Sequence, residues 1–182
     1  MDDDDEMERL RAWLPGQGPK TWHQVALSWN WGNGTTILDW LLDQPDCDRG
    51  TAIALYLLGD PDFYAERFPS LEAMREAGYS QLKTAEFLAG ICRRWGEGAF
   101  PDYRFHPGFW WGDASSRWQE VPPGMVKAIA PWPVPASMVA IPLRGEAVDI
   151  SRFTEGMPNA WIAPQDETRS LLARLRALLA LK

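Results

Sequence analysis

The sequence predicts a mainly α-helical fold: a compact multi-helix array, then an irregular Pro- and Trp-rich segment containing short strands, closed by a C-terminal helix. Apolar residues recur at three- and four-residue spacing up to residue 96, which is the pattern of amphipathic helices. Ten prolines between residues 98 and 164 exclude long helices there, and helical spacing returns in residues 165–182. The 182 residues suit a single domain over residues 7–182, preceded by an acidic tail at residues 1–6.

Two helices are predicted at the start of the chain. The spacing of apolar residues indicates a short helix over residues 6–14, which the Pro- and Gly-rich residues 15–19 end. A second helix is predicted over residues 21–29, and its periodicity places Trp22 and Trp29 on the buried face. Both indoles are therefore expected in the core.

The stretch SWNWGNGTT, residues 28–36, forms a predicted corner between two helices. Asn33 and Gly34 tolerate a positive φ, so they favour a turn. Thr36, followed three residues later by Asp39, resembles a capping box, which predicts that the next helix starts at Thr36.

A central helix is predicted over residues 51–58, because almost every residue there is apolar. Asp48 is placed to cap its N-terminus with a carboxylate that accepts from exposed backbone N–H groups. Gly59 is predicted as the C′ residue, and Asp60 with the proline after it begins another short helix through residue 67.

The rest of the chain divides into a helical and an irregular part. Helices are predicted over residues 70–77 and 81–96, and short strands over residues 126–130 and 138–143. Aromatic side chains of the irregular segment, residues 98–164, are expected to pack on the helical core, and residues 165–182 are expected to pack back on the body as a helix. These aromatic residues are Phe100, Tyr103, Phe105, Phe109, Trp110, Trp111, Trp118 and Trp132.

The net charge of -7 is concentrated in one segment of the body. Residues 39–66 hold seven acids and one base, for -6; residues 1–38 sum to -3, and residues 67–182 to +2. An electronegative face of this kind suits a basic partner and argues against nucleic acid as the ligand. The alternative is that these aspartates serve as helix caps and turn residues and form no binding surface.

Sequence motifs for catalysis or metal binding are absent. His23, Cys47, Cys92 and His106 are the residue types that zinc prefers, but they lie far apart in sequence and form no chelating pair. No nucleophile elbow and no phosphate-binding loop occurs. We therefore expect neither an enzyme nor a bound metal or cofactor.

The composition also predicts the compartment. No stretch approaches the roughly 20 apolar residues of a membrane span, and the N-terminus is acidic where a secretory signal is basic. Two cysteines without a CxxC motif fit reduced thiols, although a disulfide between them remains an alternative. The expected location is the cytoplasm, without membrane contact.

The segment WHQVALSWNWGNGTTILDWLLDQPDCDRGTAIALYLLGDPDFY resembles a bacterial domain of unknown function, the DUF4274 family. The family pattern is an aromatic-Asn-Trp-x-x-Gly corner, a short helix, and a Cys-Asp step into a Thr-Ala-rich helix. The stretch EFLAGICRRWGEGAFPDYRFHPG extends the resemblance to about residues 22–107. Gly32-Asn33 stands where the family has an acidic step, and Ser28 precedes the aromatic. The resemblance implies an immunity protein, because small acidic proteins of this kind accompany bacterial toxins.

The sequence therefore favours a non-enzymatic binding protein that occludes a cognate toxin with a basic surface. The predicted contact residues are one indole and five carboxylates: Trp31, Asp43, Asp46, Asp60, Asp62 and Glu66. The alternative is a small-molecule or carbohydrate site in residues 103–118, where Trp110-Trp111 and Asp113 supply stacking rings and a hydrogen-bonding group. The oligomeric state is left open.

Overall fold

The computed structural model describes residues 3–108, 129–142 and 144–161, and the fold of these residues is mainly α-helical, as predicted. The helices are α1 Asp3–Trp13, α2 Pro19–Leu27, α3 Thr36–Leu42, α4 Arg49–Leu58, α5 Pro61–Ala65, α6 Leu71–Glu76, α7 Leu82–Gly96 and α8 Ala136–Val139. Single 3-10 turns occupy Leu14–Gly16 and Trp31–Asn33, and β1 Phe153–Thr154 pairs antiparallel with β2 Met157–Pro158. The predicted helix at residues 165–182 lies outside the described residues.

Helix α4 occupies the centre of the molecule. Every residue from Gly50 to Tyr56 is buried, because α2 and α7 both pack against this short apolar helix. The aromatic residues that follow α7 cover the same core, with Phe100, Phe105 and Trp132 at 1%, 6% and 7% exposure. The predicted packing of the irregular segment is thus confirmed for these three rings, whereas residues 109–128 are not described.

The first two helices begin earlier than the periodicity predicts. Helix α1 starts at Asp3, so part of the acidic run is helical. The carboxylates of Asp5 and Glu6 lie near its N-terminus, where negative charge interacts favourably with the positive end of the helix dipole. Helix α2 starts at Pro19, whose fixed φ suits the first helical turn, and ends at Leu27. Trp29 follows the helix but is still only 6% exposed, as predicted for a core indole.

The prediction that Gly59 is the C′ residue of α4 is wrong by one position, because Gly59 is the C-cap. Gly59 has a φ of -78°, and the left-handed residue is Asp60, with φ 52°. Gly59 is small for a different reason: an added Cβ would lie 2.4 Å from Leu88 Cδ2. The close approach of the Leu88 side chain to the end of α4 therefore favours a glycine here.

The strands predicted over residues 126–130 and 138–143 are not observed where the chain is described. Met138 lies in α8, a single helical turn that follows Pro135. Ile129 and Ala130 lie outside any strand. The observed hairpin, β1 and β2, turns at Glu155 and Gly156, which have φ 53° and 84°. A Cβ on Gly156 would lie 2.4 Å from Trp29 Cε3, so the hairpin turn rests on the core indole.

Candidate functional site

The corner of residues 28–36 is built by side chains that satisfy its own backbone. The Trp29 indole donates to the Gly34 carbonyl at 2.9 Å, and the Asn30 side chain accepts from the Gly32 N–H at 2.9 Å. Gly34 has φ 73°, the positive value expected of this turn. The polar and aromatic groups of the corner are thus used to shape the turn between α2 and α3.

The predicted capping box between Thr36 and Asp39 does not form. Thr35, not Thr36, is the N-cap of α3, and its hydroxyl donates to Asp39 Oδ2 at 3.1 Å. Neither side chain caps a backbone N–H in the manner of a true capping box. A spacing of four residues, one helical turn, lets the Thr35 hydroxyl reach the carboxylate directly.

Trp31 lies at the edge of the core. Its ring is half-buried and meets Phe87 of α7 edge-on, with centroids 6.1 Å apart. The indole therefore has a fixed orientation and keeps part of its surface in contact with solvent. Such a ring loses little conformational freedom when another surface covers it.

The five predicted carboxylates fall into two groups, separated by α4. Asp43 and Asp46 precede α4, whereas Asp60, Asp62 and Glu66 follow it. The ten residues of α4 span about 15 Å, so the helix holds the groups at opposite ends of its axis. The structure brings together the members of each group but not the whole set.

The carboxylates also differ in their own partners. Asp43 Oδ1 forms an ion pair with Arg94 Nη2 at 2.7 Å, and Glu66 lies 3.8 Å from Arg67. Asp62 is half-buried at the start of α5, whereas Asp46 and Asp60 are exposed. Asp43 and Glu66 are exposed as well, so Asp46 and Asp60 differ from them in having no ion pair with a described residue.

Asp48 was predicted as a helix cap, and the structure gives it a larger role. Its carboxylate, fully buried, accepts from the backbone N–H of Gly50 at 2.8 Å, of Arg104 at 2.7 Å and of Phe105 at 3.3 Å. The Arg104 Nε lies 3.4 Å from the same carboxylate. One buried charge therefore caps α4 and fixes the segment that follows α7. The sequence does not indicate the contact of Asp48 with Arg104 and Phe105, because the donors are backbone N–H groups 56 and 57 residues away.

His23 sits in the same buried polar region. Its ring contacts the Thr51 hydroxyl at 2.9 Å through Nδ1 and the His106 carbonyl at 3.1 Å through Nε2, and it stacks on Phe105. Burial lowers the pKa of His23 to about 4. The imidazole is therefore neutral at pH 7 and completely enclosed, which fits a structural contact.

The two cysteines are buried free thiols. Burial raises the pKa of Cys47 to about 12 and that of Cys92 to about 11, so both remain protonated at pH 7. Among the described residues, no three His, Cys, Asp or Glu side chains are grouped to hold a metal ion. The described part of the chain thus offers no activated sulfur nucleophile.

Clefts open on the surface of the described residues, and two of them lie between named elements of the fold. One has a volume of about 400 Å³ and lies between α3 and α7, beside Trp31 and Asp43; we call it the α3–α7 cleft. The other, of about 430 Å³, lies between Trp13 and the β1–β2 hairpin. Residues 109–118 of the predicted aromatic site lie outside the described residues, and of its remainder Tyr103 is half-buried and Phe105 buried.

Within the described residues, none of the helices combines the length and the apolar character needed to cross a membrane. Residues 17–95 match the family described as Domain of unknown function (DUF4274), which confirms the resemblance seen in the sequence. The match ends before residues 96–107, which the sequence resemblance had included. Comparison with curated proteins and with solved structures finds no match. The α3–α7 cleft is built entirely within the matched residues.

Proposed function

We propose that this chain, which carries a DUF4274 domain over residues 17–95, is a bacterial immunity protein that binds a cognate toxin and occludes it. The observation that carries the proposal is the set of exposed carboxylates near the two ends of α4, Asp43 and Asp46 before the helix and Asp60 and Glu66 after it. The partner would present a basic surface. Complementary charge speeds the encounter of two proteins and favours the correct partner over others.

The carboxylates near the two ends of α4 contribute differently to binding of a basic partner. Asp46 and Asp60 face solvent, so they attract a basic partner at long range. Asp43 is partly neutralised by Arg94 and contributes less charge than its position in sequence suggests. Asp62 and Glu66 extend the acidic surface beyond α4.

Trp31 is the proposed anchor of the interface. Trp is enriched among residues whose removal most weakens binding, and such residues are usually held rigidly in place. Contact with Phe87 already orients the Trp31 ring, so covering its exposed part costs little ordering entropy. Trp31 precedes α3 and Asp43 follows it, so the seven residues of α3 hold the indole about 10 Å from this carboxylate along the helix axis.

Inhibition by occlusion requires no chemistry, and the buried polar groups support a non-enzymatic protein. His23 and Asp48 are 0% and 1% exposed, so a substrate has no access to the imidazole or the carboxylate. The protonated thiols of Cys47 and Cys92 are also enclosed. We propose that the protein acts in the cytoplasm, where it would meet toxin before export.

The test is coexpression with the product of the neighbouring gene, followed by copurification and a growth-rescue assay. The proposed function predicts a complex that forms and restores growth; absence of both rejects it for that pair. Surface plasmon resonance at two salt concentrations then measures association. We expect a slower association rate at high salt, because added ions screen the charges of the two surfaces.

Charge-reversal variants identify the binding surface. Asp46→Lys tests the N-terminal end of α4 and Asp60→Lys the C-terminal end, with Glu76→Lys as an exposed control on α6. We expect the first two to slow association several-fold each and the control to leave it near the natural rate. If both charge-reversal variants still rescue growth and associate at the natural rate, the acidic surface is not the binding site. That result would leave the proposed immunity function unchanged.

A further inference from the structure

The cleft between Trp13 and the β1–β2 hairpin, which we call the hairpin cleft, combines aromatic and polar side chains. Trp13 at the end of α1, Phe153 of β1 and Pro158 of β2 supply apolar surface. The other lining side chains are polar, apart from Ala160, and they are Thr21, Gln24, Ser151, Arg152 and Asn159. No carboxylate of a described residue lines the hairpin cleft.

The lining side chains are accessible from solvent. Ser151, Arg152 and Asn159 are exposed, and Trp13 and Phe153 are half-buried. The cleft has a volume of about 430 Å³, which lies in the range of small-molecule sites. A ligand can therefore reach both the rings and the polar groups without a rearrangement of the core.

Two amide side chains of the hairpin cleft are held in fixed orientations. Gln24 Nε2 donates to the Asp149 carbonyl at 2.6 Å. Asn159 Nδ2 donates to the Ser151 carbonyl at 2.8 Å, and Asn159 Oδ1 accepts from the Thr154 hydroxyl at 2.8 Å. Each amide can still bind a further group, because Gln24 Oε1 accepts from no described residue and Asn159 Nδ2 carries a second hydrogen. Polar groups that are already oriented lose little conformational freedom on binding.

Arg152 and Thr21 add hydrogen-bonding groups that no described residue uses. The Arg152 guanidinium forms no ion pair or hydrogen bond with a described residue, and neither does the Thr21 hydroxyl. Gln24 Oε1 accepts, the guanidinium donates, and the hydroxyl does both. A ligand with several hydroxyl groups suits this mixture, because each hydroxyl is both a donor and an acceptor.

The Trp13 ring supplies a rigid apolar surface. It meets the Trp161 ring at 74°, with the two centroids 5.0 Å apart. Trp161 does not line the cleft, and the Arg9 guanidinium lies 4.3 Å from its ring centroid, so Trp13 is braced from outside the cleft. The face of an aromatic ring carries partial negative charge and attracts polarised C–H groups. A pyranose presents such C–H groups on the faces of its ring and hydroxyls around its rim.

We propose that the hairpin cleft binds a pyranose sugar, with a C–H face of the sugar on Trp13 and its hydroxyls on the Gln24 and Asn159 amides. The Arg152 guanidinium donates to a further hydroxyl. Trp13 and residues 151–160 lie outside the DUF4274 match at residues 17–95, so sugar binding would belong to this chain and not to the family domain.

The hairpin cleft shares no residue with the proposed toxin-binding surface, and the proposal does not rest on toxin binding. It is also distinct from residues 103–118, where the sequence indicates a carbohydrate site as the alternative function. Failure of either proposal therefore leaves the other intact.

The test is titration of the full chain with D-glucose, D-galactose, D-mannose and N-acetyl-D-glucosamine, followed by amide NMR. Glycerol and cyclohexanol at equal concentrations are the controls, because glycerol has hydroxyls without a ring and cyclohexanol has a ring with a single hydroxyl. We expect at least one sugar to shift the amides of Thr21, Gln24 and Phe153 saturably and both controls to leave them unchanged. Absence of saturable shifts at these amides with every sugar, or equal shifts with either control, overturns the proposal.

Variants locate the site. We expect Trp13→Ala to weaken sugar binding at least about tenfold, because the surface under the sugar ring is lost. Trp13→Phe keeps an aromatic ring and should weaken binding less than Trp13→Ala. Arg152→Gln, at an exposed position, should weaken binding at least about threefold through loss of a charged donor. Lys83→Gln removes an exposed base on α7, outside the hairpin cleft, and is the matched control that should bind normally.

Thermal denaturation of each variant separates loss of binding from loss of folding. Arg152 makes no contact that stabilises the described fold, so Arg152→Gln decides the outcome even if Trp13→Ala does not fold. Unchanged affinity in Arg152→Gln, or in a folded Trp13→Ala protein, refutes the assignment.

Discussion

The carboxylate of Asp48 accepts the backbone N–H of Arg104 at 2.7 Å, across 56 residues of chain. The same carboxylate caps α4 through the Gly50 N–H. A single buried side chain therefore ties the start of the central helix to the segment that follows α7. This contact is buried, so its removal should lower the free energy of unfolding rather than change a surface property.

Replacing Asp48 should destabilise the protein strongly. Asp48→Ala leaves buried N–H groups of Gly50, Arg104 and Phe105 without their acceptor, and we expect a loss of about 3 kcal/mol or more in the free energy of unfolding. Urea denaturation measures it. The matched control, Asp46→Ala at an exposed position, should change stability by no more than about 0.5 kcal/mol. Equal effects in the two variants would contradict the buried-anchor role.

The pKa of His23 predicts a pH-dependent stability. The folded value of about 4 lies below the ordinary value of 6.5, so below pH 6.5 the unfolded chain binds the proton more readily. The contribution of His23 to the free energy of unfolding is fully present above pH 6.5. It falls by about 3 kcal/mol in total as the pH is lowered towards 4.

Equilibrium unfolding between pH 4 and pH 6.5 tests the contribution of His23. A His23→Gln variant is the comparison, because its amide does not titrate in this window and it retains hydrogen-bonding groups. The variant is expected to be less stable at neutral pH but to lose less stability on acidification. An identical slope in the two proteins would show that other groups cause the acid sensitivity.

Gly50 is predicted to be intolerant of substitution. A Cβ at this position would lie 1.9 Å from the Phe105 carbonyl oxygen, which belongs to the segment held by Asp48. Gly50→Ala should therefore lower the free energy of unfolding by about 3 kcal/mol, although alanine favours helices. Gly16→Ala, with nothing within 4 Å of its Cβ, is the control in the same thermal-denaturation experiment. A fully stable Gly50→Ala protein would disprove the close approach.

The two thiols should be unreactive in the native protein. Cys47 and Cys92 are buried, and burial raises the pKa values to about 12 and about 11, so the reactive thiolate is scarce at pH 7. Labelling with a chromogenic disulfide reagent should be slow in buffer and yield two thiols per chain in denaturant. Fewer than two thiols after denaturation without reductant would indicate a disulfide instead.

Helix prediction succeeded where a local pattern controls the structure. The apolar run of residues 51–58 indicates a buried helix by itself, and α4 lies there with Asp48 as its N-cap. The Asn33-Gly34 signal also requires only local geometry, and Gly34 has the expected positive φ. Two local predictions failed: Gly59 is the C-cap of α4 and not its C′ residue, and Met138 lies in a helical turn after Pro135 instead of a strand. The contact of Gly59 with Leu88 depends on a distant residue and was not predicted.

The sequence by itself determined the mainly α class, the resemblance of residues 17–95 to the DUF4274 family and the acidity of residues 39–66. These features follow from periodicity, motif and charge, which need no knowledge of distant contacts. Only the tertiary structure decided that Asp48 is buried, that Arg94 pairs with Asp43, and that Asp39 faces a cleft. The physical reason is that ion pairs, burial and clefts depend on which helices pack together, and the helical pattern of one segment does not specify its neighbour.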